Sequence, residues 1–227
     1  LQSTQTYCSG SDSRTPISEL PFVIFSGQGD GSYYLTSDLT DDGSLSAAIS
    51  TGVSNTTIDL NGFTIYGTGS GTGISIENAN NVRIINGTIS GFGQGVEVVT
   101  PITNDSGTSL ENVTVENSAI RGIVLGKHSR ATSCTVRNSG TTGITCMEGS
   151  NISDCTVDNS GGDGIVAEAS SIIKDCIVTN SGGKGILTNG GCLVRGCLAA
   201  DNIDYGIDVT AGSQVVECAS NSNAGGV

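Results

Sequence analysis

A 21-residue interval runs through the second half of this 227-residue chain and constrains its fold before anything else does. Cysteine recurs at Cys134, Cys155, Cys176, Cys197 and Cys218. Asparagine recurs in the same register at Asn117, Asn138, Asn159 and Asn180, with Asp201 next, and a fourth file runs Ser129, Ser150, Ser171, Cys192, Ser213. A Gly followed by Ile or Val stands at Gly73, Gly95, Gly122, Gly143, Gly164, Gly185, Gly206 and Gly226, in steps of 20 to 22 residues save one of 27 between Gly95 and Gly122. Several files in one register mean a structural unit that stacks on copies of itself. Within a unit the pattern alternates with period 2, as in Ser133-Cys134-Thr135-Val136-Arg137 and Gly143-Ile144-Thr145-Cys146, and turns such as Asn-Ser-Gly break it. That pattern describes short strands with one buried face. Three such strands per unit close one coil, and parallel strands stack at ~4.8 Å per coil. The spacing therefore predicts an all-β parallel solenoid over residues 53–227, about eight coils and roughly 40 Å long.

The expected lumen holds Cys134/Val136, Cys155/Val157, Cys176/Val178, then Ile144/Cys146, Ile165/Ala167, Ile186/Thr188, then Ile152, Ile173, Val194 and Val215. All are small or β-branched, as a narrow lumen requires. The Asn file is expected to form an inward ladder in which each amide bonds the copies above and below. Neighbouring cysteines of one file would sit one coil apart with parallel Cβ vectors, a poor disulfide geometry. They read as small buried thiols. No CxxC or Cys/His spacing points to zinc.

These units, of the form Cys-Thr-Val-Arg-Asn-Ser-Gly-x-x-Gly-Ile, resemble right-handed parallel β-helix repeats of the pectate-lyase-like superfamily. The stretch from Ile17 to Thr36, then Thr57-Ile58-Asp59-Leu60-Asn61-Gly62-Phe63-Thr64-Ile65, resembles the entry coils of secreted bacterial members. The resemblance implies a right-handed coil. It implies little about activity, because that fold carries lyases, hydrolases, epimerases, adhesins and tailspikes. Its enzymes use recognisable sets: acids holding calcium beside a basic residue, paired Asp with Gly-His-Gly, or Asp-Pro-His. Here the single histidine, His128 in Gly126-Lys127-His128-Ser129-Arg130, lies in none of these and reads as a solvated turn residue. Asp154 and Asp175 share one place in successive coils and are the candidate calcium pair. Asp38, Asp41 and Asp42 form a denser acidic knot where a calcium would be structural. No other cofactor is expected.

Residues 1–52 lack the period and hold five of the nine Phe and Tyr, so they read as an N-terminal cap or assembly segment, with a short helix over Gly43–Ser50. Solenoids need such caps to cover apolar ends and strand edges. The C-terminal stretch Asn221–Val227 shows no capping segment. An open end suggests head-to-tail self-association into a homopolymer. Val166, Ile177, Leu187 and Leu198 on the outer faces, with Gly226 and Val227 at the end, are the assembly candidates. Beside the Cys file the outward threonines Thr114, Thr135 and Thr156 make a row of three, flanked by Glu116, Arg137 and Asp158, too short and too charged to match ice. The residues from Thr100 to Thr108 fill the irregular 27-residue step and form a loop.

The formal charge of −13 argues against nucleic-acid binding and against docking on anionic lipid. No apolar run approaches a spanning helix. Low Lys content, abundant Ser, Thr, Asn and Gly, and a start without Met or leader features suit a secreted or cell-surface chain with its signal removed. The first reading of function is a non-catalytic extracellular structural protein, a β-helix subunit assembling end to end into a filament or matrix. The alternatives are a carbohydrate-active or carbohydrate-binding β-helix, with polysaccharide as partner, and a tailspike or adhesin module.

Overall fold

The computed structural model describes residues 13–27, 31–44, 46–99 and 106–225, and these form 26 strands and no helix. Each coil turns through three faces. In one late coil the first face is Asn151–Ser153, the second Thr156–Ser160 and the third Ile165–Ala167. First and second faces belong to one 17-stranded sheet, and third-face strands form a separate sheet of nine. All pairing is parallel, and each late strand lies on its copy one repeat away: Ile152 on Ile173, Val157 on Val178, Ile165 on Ile186.

The nine third-face strands make nine coils rather than eight, because coiling begins well before residue 53. Thr15–Ile17 pairs with Ser32–Leu35, and Phe22 and Ile49 lie in register with Ile74. The 52/53 boundary is thus not a structural break. The expected helix over 43–50 is instead a strand, Ala47–Thr51, with Ala47, Ala48 and Ile49 buried. It is laddered on both sides, by Phe22–Ile24 and Thr72–Glu77, and this pairing overrides the local helical preference of Ala-Ala. The early coils are longer, pairing Thr57 with Arg83 and Ile65 with Ile89, which is why no 21-residue period is visible there. Cys8 and the remainder of residues 1–12, Asn104, Asp105, Gly226 and Val227 lie outside the described residues.

One rule governs all three corners. Each opens with a residue in the left-handed region: Ser133, Asp154 and Asp175 between first and second faces; Asn117, Asn138, Asn159 and Asn180 between second and third; His128, Gly149 and Ser170 between third and first, at φ from 52° to 71°. Gly and short polar residues tolerate this conformation best. The next residue turns inward, and it can answer the backbone of the neighbouring coil. Ser150 Oγ donates to the Gly126 carbonyl (3.2 Å) and accepts the Ser129 N–H (3.2 Å). Asn202 Nδ2 donates to the Val178 carbonyl (3.5 Å), and its Oδ1 accepts the Ser181 N–H (3.0 Å). The cysteines occupy the same place at their own corner, Cys176 Sγ pointing at the Ile152 carbonyl (3.7 Å). The Cys file is therefore the sulfur version of the Ser and Asn ladders, satisfying corner backbone that would otherwise be buried unpaired.

The Asn file consequently departs from expectation. Asn117, Asn138, Asn159 and Asn180 are exposed, and the inward residues are their successors Ser118, Ser139, Ser160 and Ser181. The amide row does form on the outside, Asn138 Nδ2 to Asn117 Oδ1 at 3.0 Å and Asn159 Nδ2 to Asn138 Oδ1 at 2.8 Å, until Asn180 turns to Asp158 (2.7 Å). The glycine of each Gly-Ile pair is sterically required: a Cβ at Gly143 would run into the Val157 side chain, the Gly164 carbonyl and the Ser160 hydroxyl.

Candidate functional site

The expected lumen residues are buried as read, apart from Val215, which is 46 % exposed at the last described coils. The seven described cysteines are all free, and only Cys218 is more than marginally exposed. Burial pushes the Cys146 thiol up to about 12. Along the Cys file, hydrogen bonds between neighbouring thiols raise Cys155 and Cys197, with burial added, and lower Cys134 and Cys176. Buried in the lumen, these sulfurs pack as small side chains and point at corner carbonyls.

Asp154 and Asp175 occupy left-handed corners, where each backbone N–H bonds the next coil (to Lys174 O, 3.0 Å, and Arg195 O, 2.9 Å), and Asp175 pairs with Lys174 at 3.1 Å. Among the described residues no group of three or more His, Cys, Asp or Glu is placed to hold a metal, so this corner supplies no third side-chain ligand. Val166 and Leu187 are adjacent on the third face, and Ile177 and Leu198 on the second, so they form the two separate strips expected. Of the four, Ile177 is the most open at 45 %. The outward threonine row is longer than the sequence suggests: Thr64 and Thr88 extend Thr114, Thr135 and Thr156 to five in register.

The arrangement with chemical content lies beside the irregular step, where four coils meet at the third-to-first corner. A polar cleft of about 240 Å³ is lined by Asn81, Thr108, Ser109, His128, Arg130 and Asn151. The first-face pairing places Arg83, Ser109, Arg130 and Asn151 in one outward row, a coil apart from one to the next. His128, left-handed at φ 53°, donates its N–H to the Glu148 carbonyl (3.0 Å), and its imidazole lies over Gly149, where any Cβ would collide with it. Lys127 is neutralised by Glu148 (2.9 Å) and Arg83 by Glu111 (2.6 Å). Arg130 has no ion-pair partner among the described residues, and its guanidinium faces solvent.

One outward cleft atom is buried without a hydrogen-bond partner, Oδ1 of Asn151. Buried polar atoms are nearly always paired, which sets Asn151 Oδ1 apart. The unpaired hydroxyl of fully buried Thr108 belongs to the lumen, since Thr108 follows left-handed Gly107 and stands in file with the inward Ser129. Sequence reading marked His128 as solvated, and most of the loop it expected, Thr100–Asp105, lies outside the described residues; it missed Asn81, Arg130 and Asn151. They are drawn from three coils, and no contiguous motif links them.

The family model for the right handed beta helix region matches residues 31–166 and again 101–227. The chain belongs to that family. It is a right-handed β-helix, as the repeats implied. Among solved structures, a periplasmic alginate epimerase is similar with TM-score 0.55 at 13 % identity, over 84 % of this chain and 50 % of that one. The A-module of an Azotobacter vinelandii mannuronan C-5 epimerase aligns at TM-score 0.43 and 15 % identity, covering 86 % and 58 %. An alginate lyase from a Paenibacillus species aligns at 0.43 and 10 %, covering 85 % and 94 %. This right-handed β-helix spans about half the length of the first. At such identities the likeness is one of fold. A search of curated protein sequences finds no match.

Proposed function

We propose that this β-helix binds a carbohydrate chain, with an acidic sugar seated at the Asn81–Arg130–Asn151 cleft. The observation that carries the reading is the orphaned Oδ1 of Asn151 in a polar cleft that also carries the unpaired Arg130. A sugar hydroxyl can donate to Asn151 Oδ1, and a guanidinium fork matches a carboxylate bidentately. The similar fold of a periplasmic alginate epimerase supports the same substrate class and an extracellular or periplasmic setting. The cleft has no aromatic platform, so recognition rests on hydrogen bonds and one charge rather than on stacking.

The test is calorimetric titration with alginate oligosaccharides and with neutral glucans of equal length. Saturable binding of the acidic series is expected, weakened about tenfold or more by Arg130→Ala and by Asn151→Ala. Absence of saturable binding, or identical affinity in both variants, overturns the assignment. End-to-end assembly and the tailspike or adhesin alternative rank below it. Their support is the lumen exposed around Ile207, Val215, Cys218 and Ser220, which a further coil of a longer chain would cover as well as a second copy would.

A further inference from the structure

We infer that the early coils hold a hard divalent cation of the calcium class at Asp41. Asp41 is only 3 % exposed. Its Oδ2 accepts the Gly43 N–H at 3.1 Å, while Oδ1 is buried with no hydrogen-bond partner. A buried carboxylate oxygen left without a donor or counter-charge is among the costliest arrangements in a protein interior. The surrounding sequence offers no counter-charge: residues 15–82 contain no Lys, Arg or His, yet carry Glu19, Asp30, Asp38, Asp41, Asp42, Asp59 and Glu77. The cation just before this stretch, Arg14, is engaged by Asp59 (2.7 Å) and lies over the Tyr34 ring (4.5 Å).

Oxygens stand on the adjoining segments. Thr68 Oγ1 lies against Gly43, and the Tyr66 carbonyl accepts the Asp41 N–H (2.8 Å). Asp42 and Asp38 each bind a backbone N–H through Oδ1, those of Ser44 and Thr64, both at 2.8 Å, and each keeps a second oxygen. With no nitrogen or sulfur ligand, the donor chemistry selects hard cations over zinc or copper. Among the described residues no three ligating side chains cluster, so the shell is one buried carboxylate completed by hydroxyl, carbonyl and water oxygens. Calcium's flexible shell of six to eight oxygens accepts that set, whereas magnesium's strict octahedron does not. Affinity should fall in the weak extracellular range, about 10⁻⁴–10⁻³ M.

The experiment is thermal unfolding of the calcium-stripped chain as calcium is raised to about 10 mM, against magnesium at equal ionic strength, with calcium calorimetry in parallel. A saturable, calcium-specific rise in Tm of roughly 3–6 °C is expected, with one binding event in calorimetry. Asp41→Asn should abolish both, and Asp154→Asn and Asp175→Asn should leave both intact. If Asp41→Asn does not fold, Asp42→Asn, which removes a neighbouring negative charge without touching the shell, should weaken calcium binding several-fold. No calcium-specific effect in the unsubstituted chain, as a lone bound water would give, overturns the site. So does an undiminished effect in Asp41→Asn.

Discussion

At the second-to-third corner, two residues share one space. A Cβ at Gly164 would meet both Val178 and the Ser181 hydroxyl, and one at Gly185 meets Ala199 and Asn202 in the equivalent place. Where the inward residue is Val, the corner residue is Ser; where it shrinks to Ala199, the corner grows to Asn202. The exchange has a chemical consequence. Asn202 reaches the carbonyl of the preceding coil, whereas the shorter Ser118, Ser139, Ser160 and Ser181 leave buried hydroxyls unpaired. Ser181→Asn alone should therefore overpack against Val178 and destabilise by about 1–3 kcal/mol. Val178→Ala alone should cost about 1–3 kcal/mol for the methyls removed and the cavity left. Combined, they should recover most of the loss, with a coupling of at least about 1 kcal/mol in urea unfolding. Simple additivity would show that the two side chains do not share that volume.

At the scale of the coil, register is set by the 21-residue offset alone, because strands pair with the next coil rather than within their own. Deleting residues 172–192 joins Ser171 to Leu193 and puts every inward side chain of the following coil on its former partners' partners. Such a variant should keep its β-sheet circular dichroism and unfold cooperatively. Deleting 20 residues instead puts side chains on the wrong face and should abolish folding. This is the part of the structure most legible from sequence, since the Cys, Ser and Gly files each mark one station of the coil. The early coils were not legible, because their longer pitch pairs Thr57 with Arg83 and scatters the files. The inward or outward sense of the Asn file was not legible either. A left-handed residue reverses the alternation on which period-2 reading depends, and nothing in Asn-Ser says which of the two turns in. The cleft was the least visible feature. Its 27-residue step was apparent, but Asn81, Arg130 and Asn151 meet only through stacking.

At the scale of the whole molecule, charge and shape act in opposite directions. The chain carries −13 overall, yet Arg83 and Arg130 on the first face and Lys127 just before the His128 corner gather near the cleft, two of them already paired. On the proposed function, a polyanionic chain would be repelled at long range and held only at close range. Adding monovalent salt should speed its association, the reverse of ordinary charge steering. Stopped-flow association rates at low and moderate salt would show this; a rate that falls as salt is added would mean the local cationic patch governs the approach.

The corner ladders have one more consequence, and it is mechanical. Because strands pair only with neighbouring coils, and inward Ser150, Asn202 and the cysteines bond to those same coils, a coil at one end is fastened only to the coil beneath it. Force applied to that end should peel the solenoid turn by turn, as thread comes off a spool. Each rupture would free one 21-residue turn, about 70 Å of contour. The extension trace would then be a regular sawtooth through the late coils and would lengthen its stride in the early ones.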